Sequence, residues 1–216
     1  MQIVLPAAVV EPLDGITLLK KIERVGRISH RSEDRITEES YLPFVRKWAI
    51  ESAHETLLEH GSISVRIRCD RGVSHEIVRH RLSSIIQEST RYVRYDSGEV
   101  KVIEPPLQTE KAQRLWKTAW EYAEGDYIDL LAMGEPPEIA RSVLPTSLAT
   151  SLALTANLRE WRLILKLRTA KAAHPQMRQI MVPLLRHFQS KIPVIFDDIA
   201  PAEYPEPGAV VTEGEV

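Results

Sequence analysis

Four arginines and two histidines fall within residues 75–95, which read HEIVRHRLSSIIQESTRYVRY. Arginine presents a rigid fork of donors that matches carboxylates and phosphates, often two bonds at a time. If residues 73–83 are helical, Glu76, Arg79, His80 and Ser83 share one face through steps of three and four. On that helix Arg81 lies about 200° round from Arg79, so the two guanidiniums would serve different partners. The following QESTRY leaves the helical pattern and sets the hydroxyls of Ser89 and Thr90 beside Arg91, a combination suited to cradling phosphate. The residues alone leave two readings open: an anion-binding site, or a basic face turned to water.

Other reactive residue types carry less. Cys69 stands in SISVRIRC, where Ile63, Val65, Ile67 and Cys69 alternate with polar residues as on a half-buried strand, so its expected role is structural. His54 and His60 are six residues apart, which does not place them on one helix face, and no further ligand at metal-binding spacing supports them. Ser89 has no general base at a supporting spacing and reads as a positioning hydroxyl, not a nucleophile.

The elements that must carry these residues suggest an α+β fold, with an antiparallel or mixed twisted sheet packed against several long helices. Residues 2–10 read as an edge or starting strand, 13–26 as a helix, and 38–60 as a further helical stretch. Strand 62–69 and the helix at 73–83 follow, then an extended passage over 84–95 and a short strand at 100–103 ended by Pro105-Pro106. Residues 108–133 read as one long helix with Leu115, Trp116, Ala119, Tyr122 and Ala123 on its apolar stripe. Pro136-Pro137 opens a short helix through Arg141. Residues 147–156 fit either a strand or a buried helix. Helices are expected at 158–171 and 176–190, the first with Leu163 and Leu167 facing inward. Residues 1–200 read as one domain and 201–216 as a loose tail.

Bulk properties narrow the function. With 216 residues and 44% hydrophobic residues the chain can bury a core. A formal charge of −2 argues against a dedicated nucleic-acid binder, so the arginine-rich stretch is a local feature. A single cysteine excludes an internal disulfide framework and suits a reducing compartment. The N-terminus lacks a charged leader, and no apolar run approaches the roughly 20 residues that span a bilayer. The expectation is a cytoplasmic protein without membrane or nucleic-acid partners.

Arg79-His80-Arg81, seven intervening residues and then Ser89 resemble the signature of the flavin-dependent thymidylate synthases. His54-Glu55-Thr56-Leu57-Leu58-Glu59-His60 resembles that family's upstream segment, Glu138-Ile139-Ala140-Arg141 its ExxR element, and Asn157-Leu158-Arg159 with Arg168 its C-terminal elements. Order and separations agree over residues 25–200. The resemblance implies a fold like that of the thymidylate synthase complementing proteins. It also implies reductive methylation of dUMP to dTMP, with 5,10-methylenetetrahydrofolate as carbon donor, FAD relaying hydride, and NADPH as reductant. A homotetramer with active sites shared between subunits is implied as well. Neighbouring possibilities are FAD-dependent hydroxymethylation of a pyrimidine nucleotide and, from another class, a nucleic-acid-binding module.

By the same resemblance Arg168 is the catalytic residue, its charge stabilising uracil deprotonated at N3. Each pKa unit of that shift needs about 1.4 kcal/mol of differential interaction. Nucleotide contacts fall to Glu76, Arg79, Gln87, Glu88, Ser89, Thr90, Arg91, Arg141 and Arg168. Glu76 would accept hydrogen bonds from ribose or base, and Glu88 would act through its backbone. Flavin contacts fall to Thr56, Arg79, His80, Arg81, Gln87, Asn157 and Arg159, with Glu59 and Ser29 as further candidates. No GxGxxG occurs, so a Rossmann turn would not hold the flavin. Departures from the family pattern are Leu163 and Ala172, where asparagine and histidine are common, with His174 near the second. Ile86, Glu88 and Thr90 also replace the commonest residues.

Overall fold

Alternation sets the sheet. In the computed structural model, which describes residues 1–95 and 100–216, Ile63, Val65, Ile67 and Cys69 are all fully buried along β3 (Ser62–Asp70). Numbering elements along the chain, β3 is the centre of a five-stranded sheet of order β4-β6-β3-β2-β7. The others are β2 (Ala7–Val10), β4 (Ser83–Gln87), β6 (Ala149–Asn157) and β7 (Val210–Glu213). Pairings β2/β3, β3/β6 and β4/β6 are antiparallel, whereas β2/β7 is parallel, so the sheet is mixed. A separate parallel pair joins β1 (Gln2–Ile3) to β5 (Lys101–Val102).

One sheet face is covered by α1 (Gly15–Ile28), α6 (Leu158–Arg168) and α7 (Pro175–Lys191), which complete the main core. Trp161 of α6 is fully buried there. Its indole donates to the Ile63 carbonyl at 3.0 Å and meets the Phe188 ring edge-on, with centroids 5.3 Å apart. That contact ties the register of α6 to β3. On the opposite face the Ser64 and Thr155 hydroxyls are hydrogen-bonded at 2.9 Å across β3 and β6. A second core lies under α4 (Glu110–Ala132), built from Trp120, Tyr127, Val102, Leu148 and Tyr95.

Several expectations change. The 73–83 helix stops early: α3 spans Arg71–Ile77, its first turn capped by Asp70, which accepts from the Val73 N–H at 2.7 Å. Ser83 begins β4 and pairs with Ala156, so ladder bonding to β6 overrides helical continuation. Glu76, Arg79, His80 and Ser83 therefore do not share a helix face. The 38–60 stretch breaks into α2 (Tyr41–Val45), a π-helical turn over Arg46–Glu51 and a 3₁₀ segment over Glu55–His60. Between the last two, Ala53 takes a positive φ of 54°. Residues 149–157 are a strand, flanked on both sides by β3 and β4. The short helix after Pro136 is α5 (Pro137–Ala140).

On α4 the buried stripe is Trp120, Ala123 and Tyr127, while Leu115 and Tyr122 are exposed. On α6, Leu163 and Leu167 are 47% and 53% exposed in the single chain; Trp161, Ile164 and Leu165 face inward instead. Strand β2 is not an edge, because β7 covers it. The expected loose tail contains that strand, and Glu213 accepts from Lys191 Nζ at 2.9 Å.

Gly15 marks the tightest helix contact: a Cβ there would sit 1.9 Å from the Lys191 carbonyl oxygen. Backbone cannot yield as a side chain does, so Gly15→Ala should destabilise by about 2 kcal/mol or more. Gly125, exposed inside α4 with nothing within 4 Å of its Cβ position, should instead gain about 0.5–1 kcal/mol on Gly125→Ala. Urea midpoints that move in these opposite directions confirm the packing; a neutral Gly15→Ala contradicts it.

Candidate active site

Arg168 is the last residue of α6, delivered to the edge of the main core by the Trp161 anchor two turns earlier. Its Nη1 donates to Glu76 Oε2 at 2.7 Å, its Nη2 to the Glu76 carbonyl at 3.1 Å, and its Nε to His80 Nε2 at 3.0 Å. Three directed contacts restrain this guanidinium, and its side chain keeps 20% of its surface exposed. Glu76 comes from the end of α3, and His80 from the turn between α3 and β4.

His80 is buried, and burial followed by the nearby Arg168 charge pushes its pKa down. Neutral imidazole with Nε2 accepting from Arg168 must carry its proton on Nδ1, a tautomer assigned from the network. That Nδ1 lies 3.5 Å from Glu160 Oε1, a second buried residue, whose own pKa burial pushes up. His80 is thus a strut between Glu160 and Arg168.

A second constellation forms where β4 runs out. Arg141 Nη1 donates to Thr90 Oγ1 at 2.7 Å and its Nε to the Glu138 carbonyl at 3.2 Å. Arg91 Nε reaches Glu138 Oε2 at 3.2 Å, and the Arg91 N–H reaches Ser89 Oγ at 3.3 Å. Gln87 points inward, its amide donating to Ser74 Oγ at 2.9 Å and Thr150 Oγ1 at 3.2 Å. The Glu88 N–H donates to the Ser151 carbonyl at 2.9 Å, and its carboxylate accepts from Tyr95 at 2.7 Å. A third group is Arg159, bound to Glu55 at 3.1 Å and Glu59 at 2.6 Å, beside exposed Thr56. Asn157 caps α6 by accepting from the Glu160 N–H at 2.9 Å. Arg79 and Arg81 are exposed and make no ion pair among the described residues.

Two cavities adjoin these groups. One of about 440 Å³ is lined by Glu76, Gly72, Val73, Trp116, Trp120 and His174 among others. The other, about 240 Å³, contains Thr90, Arg141, Arg71 and His75, and shares Pro145 and Thr146 with the first. Ser29 lies in a separate cleft with His30, Trp48 and His54, where the Trp48 and His54 rings stand 5.6 Å apart.

A family model described as thymidylate synthase complementing protein matches residues 17–194. The chain belongs to this family. It is 31% identical over 198 residues to the flavin-dependent thymidylate synthase of Corynebacterium aurimucosum, covering 82% of this chain and 78% of that one. The flavin-dependent thymidylate synthase of Pyrococcus furiosus is also 31% identical over 198 residues, covering 88% and 78%. Among solved structures, the UMP/dUMP methylase PolB from Streptomyces cacaoi, bound with 5-Br dUMP, matches with a TM-score of 0.76 and 24% identity. That likeness covers 91% of this chain and 96% of PolB, and it shows the fold.

Three groups of predicted residues meet within one chain: Glu76, His80 and Arg168; Ser89, Thr90, Arg91 and Arg141; and Glu59 with Arg159, while Thr56, Arg79, Arg81, Gln87, Glu88 and Asn157 lie outside them. Sequence reasoning missed Glu160, Ser74 and Thr150. Glu160 sits two residues before Arg162 in a capped first turn, where an acid reads as helix chemistry; nothing local marks it as facing His80. Ser74 and Thr150 matter only through Gln87, a contact between distant segments.

Because the folded state lowers the pKa of His80 below its ordinary 6.5, its neutral form stabilises the fold above that pH. That stability is lost as pH falls from 6.5 through the folded pKa. His187 is lowered too and adds to the same window. The His80→Gln variant should therefore show a shallower loss of stability than wild type between about pH 6.5 and 5, read from denaturant midpoints. Equal slopes would mean that His80 is not held neutral.

Proposed function

We propose that this protein is a flavin-dependent thymidylate synthase that converts dUMP to dTMP. The observation that carries this reading is the clamped Arg168, a permanent cation fixed by Glu76 and His80 in a member of this family. A guanidinium stays protonated throughout the physiological range, so it can stabilise negative charge on a pyrimidine without any proton transfer of its own. Pre-fixing it means that little reorganisation accompanies charge development. Glu76 Oε2 is occupied by Arg168, which leaves Oε1 to accept from the base or ribose. Cys69 cannot serve as a nucleophile towards the pyrimidine: it is buried in the core, and burial drives its thiol pKa far up.

The residues fit FAD by their charge state. Arg79 and Arg81 are exposed cations without protein counter-charges among the described residues, as a diphosphate requires, and Arg159, Thr56 and Asn157 supply further polar groups. When bound, FAD supplies hydride-transfer chemistry. NADPH and 5,10-methylenetetrahydrofolate complete the proposal as reductant and carbon donor. The proposal extends to a cytoplasmic location and a homotetramer. The exposure of Leu163 and Leu167 on α6, and the division of site residues into three groups, support assembly. No helix among the described residues is long and apolar enough to cross a membrane.

Arg168→Ala should keep the yellow flavin spectrum yet lose methylation by at least two orders of magnitude, whereas Arg81→Ala should mainly weaken FAD. Product mass after incubation with dUMP, methylenetetrahydrofolate and NADPH reads the result and separates methyl from hydroxymethyl. Wild-type turnover by Arg168→Ala would sink the assignment. For assembly, sedimentation of the Leu163→Glu, Leu167→Glu double variant should show smaller species; an unchanged oligomer would place the interface elsewhere.

A further inference from the structure

Glu160 is a buried acid that the helix carrying it does not need. It is the third residue of α6, and its backbone N–H already bonds the Asn157 cap at 2.9 Å. At that position a glutamate ordinarily reaches back to the N–H of the capping residue, or lies in water near the positive end of the helix. Here it does neither. The residue is 4% exposed, and the one charge contact of its carboxylate among the described residues is to His80 Nδ1 at 3.5 Å. Burying a carboxylate is costly, and a neutral imidazole offsets less of that cost than a guanidinium does. Elsewhere in the core the cost is met more fully: buried Glu23 binds Arg27 at 2.7 Å.

Placement gives the carboxylate a task. Glu160, Ile164 and Arg168 stand four residues apart and so share one row along α6. Ile164 is fully buried, so the middle of the row faces the core. Side chains on a helix lean towards its N-terminus, which brings Arg168 back along the row towards Glu160. His80 lies between them, its Nε2 accepting from Arg168 Nε at 3.0 Å and its Nδ1 turned to Glu160. The other tautomer would aim an N–H at the Arg168 N–H and a bare nitrogen at a carboxylate, two repulsive contacts at once. Both ring nitrogens of His80 are thus engaged within the protein, although the residue belongs to the segment expected to meet flavin.

We infer that Glu160 is a positioning residue: it selects the His80 tautomer that accepts from Arg168, and so holds the guanidinium in its working orientation. It acts through His80 and not on the reactants. The consequence for catalysis rests on the function proposed above; the choice of tautomer does not.

The test uses FAD-loaded protein carrying nitrogen-labelled histidine, and compares wild type with Glu160→Met and Glu160→Gln. Nitrogen NMR distinguishes a protonated from a bare ring nitrogen, and His80→Gln identifies the His80 signals among the seven histidines. The wild type should carry its proton on Nδ1 and none on Nε2. In Glu160→Met the proton should be shared between the two nitrogens, and kcat for dUMP methylation should fall about 10-fold with flavin content unchanged. Glu160→Gln keeps an acceptor oxygen, so it should retain the Nδ1 proton and stay within about 3-fold of the wild-type kcat. If Glu160→Met does not fold, Glu160→Ala is read in its place. A wild type protonated on Nε2 overturns the inference. So does Glu160→Met with the wild-type tautomer or the wild-type kcat, and so does Glu160→Gln that keeps the Nδ1 proton yet loses as much rate as Glu160→Met. Should the wild type methylate no dUMP, the function proposed above falls, and the shift of the His80 proton in Glu160→Met alone sustains or overturns the positioning role.

Discussion

Everything at this site depends on one guanidinium being held still. Arg168 lies at the free end of a helix, where a long side chain would ordinarily sweep through many rotamers. Here a carboxylate, a backbone carbonyl and a neutral imidazole take its donors from two directions. Each partner is supplied by a different solution to the same folding problem. Trp161 locks α6 against β3, Asp70 starts α3 where β3 ends, and the demand of β6 for a partner stops α3 at Ile77. The consequence at the site is that Glu76 closes α3 and His80 lies in the turn that leads to β4, and both meet Arg168.

Charge is apportioned unevenly across the molecule. Arg27 is bound to buried Glu23, Arg162 to Asp198, and Arg159 to Glu55 and Glu59. By contrast Arg71, Arg79, Arg81 and Arg141 have no carboxylate partner among the described residues. A fold that meant only to be stable would neutralise or expose its half-buried cations. Arg71 is half-buried with Nη1 unsatisfied, an arrangement that costs stability. The pattern also separates the roles of neighbours in sequence. Arg79 and Arg81 face water, while His80 between them turns into the core.

Much of this was legible in the chain. Strict alternation gave β3 with its buried Cys69, and the ranges 13–26 and 176–190 placed α1 and α7 within a few residues. The identity of Arg168 and the Arg141–Thr90 pairing region followed from resemblance to the family, not from any local physical signal. The failures have physical causes. Residues 73–83 have helical spacing, but spacing cannot report that β6 offers a better set of hydrogen bonds from Ser83 onward. Leu163 and Leu167 stand four apart, as core leucines do, yet Trp161, Ile164 and Leu165 fill the inner face first. The tail lacks strong strand signals, because Val210–Glu213 is ordered chiefly by the edge of β2. Glu160 matters through His80, a partner far away in sequence, which no window can see.

On the proposed function Arg168, fixed by Glu76 and His80, lowers the cost of ionising the bound pyrimidine at N3. A direct measure is the N3 pKa of dUMP bound to the protein, followed by nitrogen NMR or ultraviolet difference titration against the free nucleotide. In wild type the bound value should lie below the free one, and in the Arg168→Gln variant the difference should vanish while dUMP still binds. A bound pKa equal to that of free dUMP in the wild type, or an equal lowering in both proteins, would contradict the role assigned to Arg168.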